Sequence, residues 1–365
     1  MTAAPPLLQW RDPVMASDDP DGESAVDSLL RAGFESPESA LFVLSEGFDP
    51  RCLSALRRFV AAVGVPRVVA VDPQPPSSPG ESLTLRHREQ HTAELNDLVG
   101  DRLVRLPYPE VHDASSVGRV LAQQLTDTSM LEGVTAVAFD VSAFPTSLSF
   151  PPLRALLDVC GQEGAPSELQ VLVTANPQLD HSIHKASLGV PHMLAGFRPR
   201  GTDKRVRVWT PVLGVRGKDT LSRIAEFIGP REVCPILPFP ALDPRLPDEI
   251  LDVHRELLLD RYEIGPNNLI YAAEGNPFDL YRTLARFNTD YKTTLEPLGG
   301  ALVHISVHGS KLLSIGALLA AYEFELPIVA MRANRYSVAD DQYVDETRAG
   351  DRLTALWLRG QPYVR

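Results

Sequence analysis

The chain has 365 residues, 44% of them hydrophobic and 22% charged, with a formal net charge of −12. That acidic excess argues against nucleic acid as a bulk partner, since affinity for a polyanion comes mainly from neutralising phosphates, and leaves only local basic stretches such as 197–209 for such contacts, a stretch that reads more simply as a solvated linker. No apolar run reaches the ~18–20 residues that span a bilayer and the first residues lack the basic-then-apolar order of a secretory signal, so a soluble cytoplasmic protein with no membrane partner is expected.

Residues 1–37 read as an N-terminal extension. In chain order, LFVLSEG (41–47), RVVAVD (67–72), DRLVRLPY (101–108), TAVAFDVS (135–142) and LQVLVTAN (169–176) are short and apolar, as strands buried on both faces must be. DPRCLSALRRFVAAVG (49–64) and PPLRALLDVCGQEG (151–164) have helical spacing and stop at glycine. RHREQH (86–91) reads as a solvated helix, with a phosphate contact as the alternative. In LDHSIHKASLGVPHM (179–193), His181 and His184 have the HxxH spacing that brings two imidazoles to one ion, near Asp180 and His192. A polar linker over 181–204 is the simpler reading. Cys52, Cys160 and Cys234 are far apart with no CxxC, which points to a reducing compartment and no zinc site.

From residue 208 the order of signals begins again. VWTPVLGVRGKDTLSRIAEFIGPREVCPILPFPALDP (208–244) follows the pattern of 41–76, with Leu53-Ser54 matching Leu221-Ser222 and Phe59 matching Phe227 at one constant offset. ALVHISVHGSKLLSIGALLAAYE (301–323) matches VAFDVSAFPTSLSFPPLRALLDV (137–159), pairing Ser142 with Ser306 and Leu148 with Leu312. Strands alternating with helices imply parallel sheets. The expected fold is therefore α/β, with two tandem Rossmann-like domains over 38–180 and 205–337 related by internal duplication. A C-terminal extension over 338–365 would supply an edge strand or an interface element.

In such sheets ligands bind beyond the carboxyl ends of the strands, near the switch in strand order. The polar residues there are Glu46, Asp49, Arg51, Asp140, Ser142 and Asn176 in the first half. In the second half they are Arg216, Lys218, Asn276, Ser306, His308, Gly309, Ser310, Lys311, Arg332 and Asn334. The second set is richer in cations, which makes it the expected anion site. Helix capping competes at Asp49-Pro50 and Asn276-Pro277. In HGSK, Gly309 permits close backbone approach, the next helix offers unpaired N–H groups, and Ser310 and Lys311 add a donor and a charge. GxxxxGK[ST], a GxGxxG after a strand, GxSxG and HExxH are all missing, so no cofactor or metal is predicted.

The corner ISVHGSKLLSIGALLAAYE (305–323) resembles the ligand-binding motif of CARF-type sensor domains, Rossmann-like domains of CRISPR-associated and related defence proteins that bind cyclic oligonucleotides. The resemblance implies that Ser306, Gly309, Ser310 and Lys311 contact ligand phosphates or riboses, with Arg216 and Lys218 nearby. It departs from the motif at His308, where a second glycine is usual, and the first half has AFPTS with neither glycine nor lysine, so such a pocket would be one-sided. No nuclease domain is attached, which implies a separate effector chain. The chain also resembles tandem Rossmann-like proteins of bacterial defence neighbourhoods. Three readings result: a non-catalytic sensor or accessory subunit for a nucleotide-like anion in anti-phage defence, a phosphodiester hydrolase using His304, His308 and Lys311, and a protein–protein scaffold of a defence complex. The lack of metal and cofactor motifs favours the first.

Overall fold

A computed structural model of the chain describes residues 8–18, 25–74, 82–111, 113–176, 179, 182–199, 205–338 and 351–363. Two compact units emerge, one formed by Met1–Arg11 with Val190–Arg332 and the other by Asp12–Gly189 with Ala333–Arg365. Along the chain the second-named unit comes first. It runs β1 (Val14–Ser17), α1 (Ala25–Gly33), β2 (Ala40–Ser45), α2 (Ser54–Ala62), β3 (Arg67–Val71), α3 (Ser82–Val99) and β4 (Leu103–Leu106). It continues with α4 (Val117–Leu125), α5 (Thr128–Leu131), β5 (Ala136–Asp140), α6 (Thr146–Val159) and β6 (Glu168–Ala175). Strand β7 (Ile183–Met193) then leads to the other unit, with β8 (Val206–Val212), α7 (Lys218–Ile228), β9 (Glu232–Val233), β10 (Ile236–Pro238), α8 (Leu246–Val253) and β11 (Ile270–Ala272). That unit closes with α9 (Pro277–Thr294), β12 (Ala301–Val307) and α10 (Lys311–Phe324), before β13 (Val329–Val338) and β14 (Arg352–Arg359) return the chain.

The first sheet has the order β1-β14-β6-β5-β2-β3-β4. Strands β2 to β6 are parallel, and every residue of β2 and β5 is buried, because helices cover both faces. On one face Leu30 of α1 and Leu56 and Phe59 of α2 pack on Phe42, Leu44 and Ala138, with the Phe59 ring edge-on to Phe34 and Phe42 at 4.8 and 5.3 Å. Glycine permits a tight helix contact elsewhere: a Cβ on Gly118 of α4 would lie 2.5 Å from the Ser147 carbonyl of α6. In the other unit the order is β11-β10-β8-β12, extended by a parallel bridge from Ile305 to Ile328 just before β13. Counted from each unit's first parallel strand, with β9 and β10 taken as one interrupted strand beside β8 and the Ile305–Ile328 bridge as the fifth position, both sheets read 3-2-1-4-5, five strands of the doubly wound order 3-2-1-4-5-6. Strands β7 and β13 pair with each other.

Several details depart from the sequence reading. The shared strand order is an α/β architecture used twice, yet the paired phenylalanines do not match in burial: Phe59 is fully buried and Phe227 is 46% exposed. Leu53 precedes the first residue of α2, whereas Leu221 lies one turn inside α7. Helix α6 starts at Thr146 and contains Pro151 and Pro152, instead of starting at them. RHREQH is helical, but His87 and His91 are buried. Part of the expected 181–204 linker is strand β7. The C-terminal β14 is no edge: it pairs antiparallel with β6 on one side and with β1 on the other. Residues 8–11 belong with the other unit, where Trp10 is fully buried, edge-on to Tyr281 at 5.5 Å.

Candidate functional site

The carboxyl edge of the second sheet gathers most of the predicted residues. Strands β8 and β12 are neighbours in register, with Val212 opposite Val307, and the strand order switches between them. Their following loops touch backbone to backbone. The His308 amide donates to the Val212 carbonyl at 2.8 Å. A Cβ on Gly214 would lie 2.4 Å from the His308 carbonyl oxygen, and one on Gly309 would lie 2.6 Å from the Leu213 carbonyl oxygen. The two glycines are thus reciprocal, each making room for the other loop. Gly309 spends its missing side chain on this contact, so the space expected for a ligand holds the 213–217 loop.

Ser306 is fully buried; its Oγ accepts from Trp209 Nε1 at 2.9 Å and lies 2.9 Å from His308 Nε2. Ser310 is the N-cap of α10, accepting from the Leu313 amide at 3.2 Å. Both hydroxyls serve the fold. Lys311, the first residue of α10, and Arg216 are half-buried at this edge. Arg332 lies four residues beyond the Ile305–Ile328 bridge and is 9% exposed. His304 lies further down the strand at 2% exposure, with Nδ1 donating to the Leu302 carbonyl at 3.2 Å, away from the surface that an acid or base would need. Asn276 stands apart, after the outer strand β11, capping α9 through the Phe278 amide at 3.1 Å. The side chain of Asn334 lies outside the described residues.

Helix α7 offers what α10 does not. Its N-cap is Gly217, left-handed at φ 93°, and no side chain caps the helix among the described residues. The eleven-residue helix therefore presents its first N–H groups and positive dipole end at the switch point, between Arg216 and Lys218. Lys218 also pairs with Glu256 at 2.6 Å, and that hydrogen bond and charge raise its pKa. His254, which sequence reasoning missed, is fully buried and its Nε2 donates to the Gly214 carbonyl at 2.7 Å. Its Nδ1 has no partner among the described residues; burial lowers its pKa, the Gly214 bond opposes this, and the Lys218 charge lowers it further. Nothing in the spacing around VHREL announces this role, which depends on a loop forty residues earlier.

The equivalent edge of the first sheet is filled by its own side chains. Arg51, 4% exposed, forks onto Asp49 through Nε and Nη2 at 3.0 and 2.8 Å, and Asp49 also caps the turn at Pro50–Cys52. Glu46 accepts from Arg105 at 2.9 Å and from Thr92 at 2.7 Å. Ser142 donates to Asp140 and accepts from the Thr174 amide at 2.7 Å. Asn176 donates to Asp351 at 2.8 Å, which also accepts from Ser54. The buried His91 bonds the Gly47 carbonyl at 2.8 Å and stacks with His87. Of the HxxH stretch, Asp180 and His181 lie outside the described residues, as does the side chain of His184, while His192 is half-buried beside the Val190 carbonyl. Among the described residues no group of three His, Cys, Asp or Glu is placed to hold a metal, and no helix is long and apolar enough to cross a membrane.

No family model matches the chain, and no curated protein matches it. Among solved structures it is similar to a putative universal stress protein from Pseudomonas aeruginosa UCBPP-PA14, at 13% identity over 80% of this chain and 92% of that one, with a TM-score of 0.22. A functionally unknown protein from Pseudomonas aeruginosa PAO1 shows 14% identity over 84% and 95%, again with a TM-score of 0.22. A 16S rRNA adenine methyltransferase variant from Catenulisporales acidiphilia shows 14% identity over 46% and 65%, with a TM-score of 0.20. Scores this low say nothing about ligand or activity; the α/β assignment stands on the strand order.

Proposed function

We propose that the chain is a non-catalytic sensor or accessory subunit that binds a nucleotide-like anion at the start of α7. The observation that carries this reading is the uncapped α7 N-terminus at a topological switch point, set between Arg216 and Lys218 and fixed by the reciprocal glycines. Lys311, the first residue of α10, adds positive charge to the same edge of an otherwise acidic protein. The CARF-type resemblance makes cyclic oligonucleotides the first ligands to try and a separate effector chain, in a defence setting, the partner.

The test is thermal shift of the full chain against cyclic oligonucleotides and NAD-like nucleotides, followed by chromatography of the incubated ligand. A ligand at a hundred times its Kd stabilises the folded state by about 2.7 kcal/mol. Stabilisation with intact ligand that vanishes in Arg216→Ala/Lys311→Ala is the expected result. Ligand cleavage that disappears in His308→Ala would replace the sensor with a hydrolase. No shift with any nucleotide would leave the scaffold reading.

A further inference from the structure

Apart from the anion corner, the outer edge of the second sheet carries an apolar patch. Phe239, Leu242 and Tyr271 are 58, 59 and 48% exposed. The Phe239 and Tyr271 rings meet edge-on at 5.9 Å. The two loops are laced together, with Phe239 N–H donating to the Ala272 carbonyl at 2.7 Å, Glu274 N–H to the Pro240 carbonyl at 3.0 Å and Leu242 N–H to Glu274 Oε2 at 2.9 Å. The patch is therefore a formed surface. A large side chain presents on the order of 200 Å² when bare, so three about half-exposed ones offer roughly 300 Å², the scale of a functional patch.

Two further observations select the occupant. The first is charge. Asp243, Asp248, Glu249 and Asp252 follow on the same loop and on α8, all exposed, and Glu274 closes the loop, against the single cation Arg245. An anion is repelled here, whereas a guanidinium or ammonium group is attracted both to the carboxylates and to the aromatic faces. The second is the backbone. Strand β11 ends the sheet. Ile270 N–H and the Ala272 carbonyl are both bonded towards β10, so in a parallel ladder the intervening Tyr271 turns its N–H and C=O to the open side. An extended chain alongside finds a hydrogen-bond pair there.

We propose that this edge docks an extended, arginine- or lysine-bearing segment of a partner protein, its cations over Phe239 and Tyr271 and its backbone against Tyr271. The experiment is selection of a random decapeptide library, displayed on phage, against the full chain. Binding of enriched peptides is then measured by fluorescence anisotropy on wild type, on Phe239→Ala/Tyr271→Ala and on Asp248→Lys/Glu249→Lys. All four positions are exposed, and an unchanged melting temperature shows that each variant folds. Expected are basic, apolar peptides whose binding weakens at least tenfold in both variants. Enrichment of acidic or uncharged peptides, binding that either variant leaves unchanged, or no enrichment at all would overturn the proposal.

Discussion

The imidazole of His254 is a proton-linked clamp on the loop below α7. The carbonyl of Gly214 only accepts, so Nε2 carries the proton and the neutral ring leaves Nδ1 bare. Burial lowers its folded pKa below the ordinary value of 6.5, so in acid the unfolded chain binds the proton first. The stability that His254 contributes is complete above about pH 6.5 and is lost as pH falls through the lowered folded value. Urea midpoints measured from pH 7.5 to 5 are expected to fall less steeply in His254→Gln, whose amide keeps a donor for Gly214, than in wild type. Equal slopes would remove His254 from the acid response.

At the scale of elements, the site depends on two loops that share one space. Gly214→Ala and Gly309→Ala each push a methyl into the opposite backbone, and overpacking of this kind costs ~1–3 kcal/mol. The carbonyls they strike directly follow strands joined by seven registered pairs, so the loops have little freedom to part. Once one alanine has spread them, the second meets less resistance. The double variant is thus expected to lose less stability than the two single losses added, as read from denaturant midpoints. Strict additivity would show that the loops yield independently. How legible this was follows the range of the contact. Strand ends, the cations after them and the Ser310 cap are local patterns, and the sequence displays them. The reciprocity of Gly214 and Gly309 comes from contact between distant segments, and the left-handed Gly217 that leaves α7 open shows only in the folded backbone. HGSK shows its capped helix start in sequence, whereas VRGKD, which precedes the uncapped one, shows no such pattern.

For the whole molecule, the same limit explains β14. RLTALWLR reads in sequence as an edge strand or an interface element, but its place between β1 and β6 is set by partners far earlier in the chain. Leu353, Ala355, Leu356 and Leu358 are at most 5% exposed, and each buried leucine contributes about 1.5–3 kcal/mol. A chain ending at residue 350 loses all of them and bares the long edge of β6. That loss is a large share of the roughly 5–15 kcal/mol that holds a domain together. The truncated chain is expected to be insoluble or to lose its near-ultraviolet circular dichroism, and a soluble product with unchanged melting would contradict the role given to β14.

The position of β14 also orders events in time. A ribosome makes 12–189 before 190–332, yet the first sheet lacks an interior strand until 352–359 emerges. The unit encoded in the middle, whose N-terminal residues 8–11 have long been available, has its last strand and helix by residue 332. Synthesis therefore completes the inner unit first, and the unit that begins earlier must wait for it with the edge of β6 open.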